Sequence, residues 1–361
     1  METFGIAGRP DYPPLPVGLA IREPGQTARY HGFGHVEPDR PDGWEWNNAE
    51  ASDALAALRR AWANPDGILM HNAKFDLDVI ETHFGLAPPP WDKVHDTMFL
   101  AFLHDPNENG LGLKFLAHRH LNMPPEERDT LTDWLVKHQP VPGVKIGTSP
   151  RGKEPPGKYI AHAPTEIVGP YAIGDVDRTW ALFEHLWTLV VPLGGMAEAY
   201  DRERRLVPVL MDMERRGIAI DMDALAADIV TYSGILIRLE QWTRSYLGAT
   251  PDLNLNSGDQ LMTALRDAGK LNMHLVGVTP ETGKMKSDKE TLEAAVADER
   301  LAAVLRYSGV LRTALSTFMK PWLETAKRSN GLIYTTWHQT RGAGGGARTG
   351  RLSSSPNFQN I

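Results

Sequence analysis

Four side chains in the first half of this 361-residue sequence have the types and order that phosphodiester chemistry requires. Glu2 stands in Glu2-Thr3, and Asp76 closes the string Asn72-Ala-Lys-Phe-Asp76 after an apolar run at 67–70. Tyr171 and Asp175 bracket Tyr171-Ala-Ile-Gly-Asp175, where helical periodicity puts residues four apart on one face. On such a face a carboxylate can hold a divalent ion while a phenol one turn away holds a water. Mg²⁺ takes oxygen ligands and keeps several waters. Two such ions ~4 Å apart activate the attacking water and stabilise the departing 3′ oxygen. A lone Asp near a helix start is more commonly a cap or a solvated charge, so the order and context of the motifs carry the reading. Asp96, in Asp96-Thr-Met at another helix start, reads as structural or outer-shell, and Asp78 and Asp177 as structural or exposed.

These residues must be positioned by a mixed fold. Short apolar runs at 16–21, 28–33 and 67–70 predict strands. Helices are predicted over 53–63, 76–84, 96–104, 113–121 and 166–191. The Pro-, Gly- and Lys-rich stretch 138–166 predicts an exposed excursion, and Pro192-Leu193-Gly194-Gly195 a domain boundary. Beyond it the pattern is helical: 198–216 stops at Gly217, and a long amphipathic helix runs from Leu225 to Tyr246. Capping boxes at Ser257–Gln260 and Ser287–Glu290 each predict a helix start. From Gly331 the sequence returns to strand-like residues and then to the Gly-rich loop GAGGGARTG.

Composition narrows the classes. The chain has no cysteine, which excludes disulfides and thiolate zinc sites and leaves carboxylates or histidines to hold any metal. No His cluster has convincing zinc spacing; His118 and His120 read as surface, and His71 as packed beside the Asp76 motif. Absence of a ~20-residue apolar run or a basic, apolar start points away from a membrane span or secretory signal, and the missing cysteines read as those of a cytosolic protein. The net charge of −7 divides unevenly, residues 196–361 carrying 21 Lys/Arg and 19 Asp/Glu while 1–195 are acidic. An acidic half suits a carboxylate metal site, and a basic tail suits phosphate contacts.

At this point the strings resemble a known family. HNAKFD is similar to the second motif of the DEDDy exonucleases and YAIGDVDRTW to their third; LGLKFLAHRHLN resembles the segment between them. The first motif, Asp-x-Glu-Thr, matches at Glu2-Thr3, and its Asp would fall one position before Met1, together with the strand that usually precedes it. DRERRLVPVLMDMERRGIAID resembles the helix that opens a family A (DNA polymerase I-like) polymerase domain, and Asn254 to Gln260 its thumb motif. Residues 336–361 resemble the segment T-G-R-L-S-S-x-x-P-N-L-Q-N-I-P, with Thr349 to Ser354 identical and one residue missing before Pro356.

The resemblance implies an α/β, ribonuclease H-like exonuclease domain at 1–195. A mostly helical thumb at 196–330 and the beginning of a palm at 331–361 would follow. It implies that Glu2, Asp76 and Asp175 are ligands of two Mg²⁺ ions (Mn²⁺ would also serve) and that Tyr171 orients the attacking water. DNA contacts would come from Thr3, Asn72, Arg348, Arg351, Asn357, Gln359 and Asn360. The expected partners are the primer–template and a single-stranded 3′ end of DNA, with a separate chain supplying the rest of the polymerase domain. The expected location is the cytoplasm of a bacterium or phage-infected cell, away from membranes. No polymerisation is expected of this chain alone, because the polymerase metal motifs would come later. Two other readings stay open: a non-catalytic DNA-binding piece that works with a partner chain or is inactive, and an RNase D-like exonuclease acting on RNA.

Overall fold

A computed structural model describes residues 1–36, 46–149, 153–280, 282–341 and 346–359. It contains two compact units, Met1–Gly217 with Tyr334–Ile361, and Ile218–Ile333.

The first unit carries the α/β part. Strands β1 (Glu2–Thr3), β2 (Pro16–Ile21) and β3 (Arg29–Gly32) form an antiparallel sheet in that order, with Glu2 opposite Gly18 and Leu19 opposite His31. At Gly18 a Cβ would meet the end of the Tyr30 side chain, which would have to move. Strands β4 (Ile68–Met70) and β5 (Val94–Asp96) pair in parallel, Met70 opposite Asp96. A parallel pair needs a crossover, and helix α2 (Ala73–Phe84) supplies it. Around these strands lie α1 (Asn48–Trp62), α3 (Thr97–His104), α4 (Leu113–Leu121), α5 (Glu126–His138), α6 (Thr165–Val190) and α7 (Met196–Arg216).

Helix α6 is the spine of this unit. Its buried face (Val168, Ala172, Leu182, Leu186, Val190) packs against β2, β3, α3, α4 and α5. Leu182, Leu186 and Val190 join Leu77, Phe99, Leu100, Leu116 and Tyr200 in one apolar core. Each fully buried side chain of that size stabilises the fold by roughly 1.5–3 kcal/mol.

Most predicted strand and helix runs fall within a few residues of their ends, while strands β1 and β5 had no sequence prediction and α1 begins five residues early. Helix α5 had no sequence prediction, and the stretch predicted as an exposed excursion is partly packed. Gln139 clamps it: its side-chain amide donates to the Ile146 carbonyl (2.9 Å) and accepts from the Ile146 N–H (2.7 Å). That contact buries Ile146, with Leu131, Leu135 and Val168, in a satellite core.

The second unit is helical: α8 (Met222–Tyr246), α9 (Gly258–Asp267), α10 (Lys289–Ala295), α11 (Glu299–Thr313) and α12 (Lys320–Arg328). Strands β6 (Ile218–Ala219) and β7 (Leu332–Ile333) pair antiparallel across its two ends. Ser257 caps α9 as its sequence predicts, through the Gln260 N–H. At α10 the cap is Asp288 rather than Ser287; its carboxylate accepts from the Thr291 N–H at 2.8 Å. A charged acceptor at a helix N-terminus also meets the helix dipole favourably.

The chain then returns to the first unit as the antiparallel pair β8 (Thr336–His338) and β9 (Ser353–Ser355). Buried polar contacts join this pair to α2 and α7. Glu214 accepts from Lys74 Nζ (2.5 Å) and from the Trp337 N–H (2.6 Å), and Lys74 also donates to the Trp337 carbonyl (2.7 Å). Gln339 donates to the carbonyl and the carboxylate of buried Glu203. Among the described residues no helix is long and apolar enough to cross a membrane.

Removing one member of a buried charge pair leaves the other without compensation. Glu214→Ala should therefore destabilise the chain by about 2–4 kcal/mol in urea unfolding. Lys74→Met in the same background should add less than its own single effect, because the two side chains share one interaction.

Candidate active site

Strand β1 presents Glu2, α2 presents Asp76 and α6 presents Tyr171 and Asp175. All four line one cavity of about 920 Å³, whose walls include Leu19, Ile21, Ile68, Met70 and Phe183. The structure thus brings together the four side chains that the sequence singles out for chemistry.

Asp96 controls where α2 begins. Its carboxylate accepts from the N–H groups of Asn72 (2.9 Å), Ala73 (2.7 Å) and Met98 (2.8 Å), capping α2 and α3 together. Asn72 meets this geometry with a left-handed backbone (φ 64°), which Asn tolerates better than most residues. Four residues on, Asp76 faces the cavity. Burial raises the Asp96 carboxyl to about 6 against the pull of its three N–H donors. His71, half-buried, is lowered to about 4 by desolvation. Its Nε2–H must donate to the Leu111 carbonyl (2.9 Å), so Nδ1 accepts from the Thr97 hydroxyl (2.8 Å). Asp96 and His71 are thereby positioning groups. Asp78 is structural: it is buried and takes both Arg9 and Arg215. Asp177 is exposed and pairs loosely with Arg22 at 3.5 Å.

The cavity carboxylates are strongly compensated. The Met1 α-ammonium lies 2.7 Å from Asp76, and Lys114 Nζ lies 2.6 Å from both oxygens of Asp175. Arg178, held by Glu127 and the Pro124 carbonyl, stands 3.8 Å from Asp175. Burial is the main cause that raises the Glu2 carboxyl to about 7; Asp175 and Asp76 push the same way, while the Met1 ammonium and Lys114 oppose it. Tyr171 is raised by burial and by Glu2 and Asp175, so it stays a neutral phenol across the working pH range. Three carboxylates and a phenol are the hard oxygen donors that a divalent cation of the Mg²⁺ type takes. Among the described residues, however, no group of three or more His, Asp or Glu side chains is arranged to hold a metal ion. The donor chemistry nonetheless fits such an ion.

The residues read as DNA contacts come from separate parts of the first unit. Thr3 follows Glu2 on β1, and its hydroxyl donates to the Phe4 carbonyl at 2.8 Å. Arg348 and Arg351 are exposed between β8 and β9. Exposed Asn357 accepts from the Gln359 N–H, and the Gln359 side chain donates to the Leu352 carbonyl. Asn360 lies outside the described residues. Sequence reasoning missed Lys114. A signal was available: a Lys in the first turn of α4 opposes the helix dipole and implies a nearby carboxylate.

Two family models match separate parts of the chain. Residues 42–190 match the family described as 3′-5′ exonuclease, and residues 230–361 match DNA polymerase family A. The chain thus resembles an exonuclease family in one segment and a polymerase family in the segment that follows it.

Among particular relatives, DNA polymerase I of Chloroflexus aurantiacus is 29% identical over 96% of this chain and 33% of its own length. DNA polymerase I of Pseudomonas aeruginosa is 32% identical over 54% of this chain and 21% of its own. DNA polymerase DpoZ of Vibrio phage phiVC8 is 25% identical over 91% of this chain and 52% of its own. The chain therefore spans a third or less of the two bacterial relatives. A solved polymerase domain of Pol1 from M. smegmatis, in complex with DNA primer–template and dNTP, shares the fold. Its TM-score is 0.63 at 21% identity, over 96% of this chain and 49% of that one.

The Glu2 carboxyl gives a pH dependence with a defined sign. Its folded value, about 7, lies above its ordinary 4.5, so the folded state holds that proton more tightly. The associated stability is complete below the unfolded value and is lost as pH rises through about 7. In a chelator, the melting temperature should fall as pH is raised from 5 to 8, and Glu2→Gln should flatten the upper part of that slope.

Proposed function

We propose that this chain is the proofreading 3′→5′ exonuclease portion of a family A DNA polymerase, with the opening part of its polymerase domain. In this reading 1–195 form the exonuclease domain, 196–330 a thumb-like region and 331–361 the start of a palm. The convergence of Glu2, Asp76, Tyr171 and Asp175 on one cavity carries the proposal.

The reaction is hydrolysis of the last phosphodiester at a DNA 3′ end. Glu2, Asp76 and Asp175 would hold divalent cations, Mg²⁺ or Mn²⁺. When bound, these supply activation of the attacking water and stabilisation of the departing 3′ oxygen. Tyr171, neutral because burial and two carboxylates keep its proton on, acts as a hydrogen-bonding group that orients the water rather than as a base. Asp96 fixes α2 so that Asp76 meets α6 across the cavity. A frayed or mismatched end enters most readily because least pairing energy opposes its separation. Thr3 and Asn72 would guide the strand near the cavity. Arg348, Arg351, Asn357, Gln359 and Asn360 would contact the primer–template, with a separate chain supplying the rest of the polymerase domain. The setting is the cytoplasm of a bacterium or phage-infected cell.

A second reading, a DNA-binding piece without hydrolysis, is favoured by one observation: Asp175 is already engaged by the Lys114 ammonium group. Release of mononucleotides from 5′-labelled single-stranded DNA in Mg²⁺ separates the two. On the exonuclease reading, Asp175→Ala lowers the rate at least ~10³-fold and Tyr171→Phe ~10–100-fold, with unchanged circular dichroism. Cleavage that survives Asp175→Ala would refute the site; DNA binding with no cleavage by the parent chain supports the second reading.

A further inference from the structure

The cation that holds Asp175 belongs to a residue that the exonuclease reading gives no role. Lys114 projects from the first turn of α4 and is only 15% exposed. Its Nζ contacts both carboxylate oxygens of Asp175 at 2.6 Å and lies 3.9 Å from the centre of the Tyr171 ring. It also acts electrostatically on Glu2. One ammonium thus grips two residues of α6 that stand one helical turn apart, through a two-point ion pair and through the aromatic face. The second contact matters as much as the first, because a cation over a phenol ring fixes the ring plane and with it the direction of the hydroxyl.

We propose that Lys114 is a positioning residue that serves as an internal counter-cation. It holds Asp175 and Tyr171 in place while no divalent cation is bound, and it must release Asp175 for that carboxylate to become a ligand. The proposal rests on the reading of Asp175 as a metal ligand. Two consequences follow from charge alone. Without the ammonium, Asp175 and Glu2 face each other across an apolar-walled cavity with less compensation, so the metal-free protein loses stability. A divalent cation then binds with no ammonium to displace, so its affinity rises. A purely structural lysine would lower stability equally with and without metal and leave metal affinity unchanged.

The position of Lys114 supports a task beyond packing. Its helix is already anchored by buried Leu116 and Ala117, so the aliphatic stem is not needed to hold α4 in the core. An ammonium in the first turn of a helix is electrostatically unfavourable there, and the Asp175 contact offsets that cost.

The test compares the parent chain with Lys114→Met, Lys114→Gln, Lys114→Arg and Asp175→Asn. Thermal melting is measured in chelator and in Mn²⁺, and Mn²⁺ binding by calorimetry. The expected result is a lower melting temperature in chelator for Lys114→Met and Lys114→Gln, with a larger rise on adding Mn²⁺. Their affinity for Mn²⁺ should be about tenfold tighter, the equivalent of a partner worth ~1.4 kcal/mol. Lys114→Arg should stay near the parent. Unchanged or weaker Mn²⁺ binding in both neutral variants would overturn the counter-cation role while leaving the ligand reading intact. Parent-like Mn²⁺ binding by Asp175→Asn would instead overturn the ligand reading itself, and the proposal with it.

Discussion

A buried carboxylate without a cationic partner is the constraint on which the first unit depends. Asp96 is 1% exposed, and its compensation comes from three backbone N–H groups rather than from a charge. Its own N–H is taken by the Tyr200 hydroxyl at 2.9 Å. One residue therefore fixes the end of β5, the first turns of α2 and α3, and the docking of α7. A surface cap stabilises a helix by about 1 kcal/mol; a buried one also decides which way the helix leaves the sheet, because the donors must converge on it. The left-handed turn at Asn72 follows from that convergence.

Helix α6 is constrained differently. Its lower half is held by apolar packing, whereas the turn carrying Tyr171 and Asp175 is held by charge: Lys114 on one side, and Arg178 with Glu127 on the other. Gly174 makes this possible, since a Cβ there would stand 2.8 Å from the Arg178 guanidinium and 2.9 Å from Glu127. The apolar face can serve as a rigid mount for the charged turn.

Much of this was legible in the sequence, for identifiable reasons. Strand β2 and helix α4 fall on their predicted limits because strong apolar patterns are bounded by turn residues. Tyr171 and Asp175 meet because spacing within a helix is fixed. Glu2 and Asp76 were joined to them by motif order and family resemblance, since no local rule relates positions so far apart. Helix α5 escaped notice because its apolar stripe is thin, with Leu131 and Leu135 its buried positions. Lys114 escaped because its partner lies 61 residues away. The cap at Asp288 displaced the one read at Ser287 because a carboxylate outcompetes a hydroxyl for the same helix end.

The return of β8 and β9 to the first unit has a consequence for how the chain is made. Glu203 and Glu214 are buried against residues that the ribosome adds only after the whole of Ile218–Ile333. At about 5–20 residues per second, that leaves these carboxylates waiting on the order of ten seconds. Over the same interval the second unit can close on itself, because β6 and β7 join its two ends. Synthesis thus runs as a bracket: α7 opens it, an autonomous insert fills it, and Trp337 and Gln339 close it on a surface that has stayed wet until they arrive.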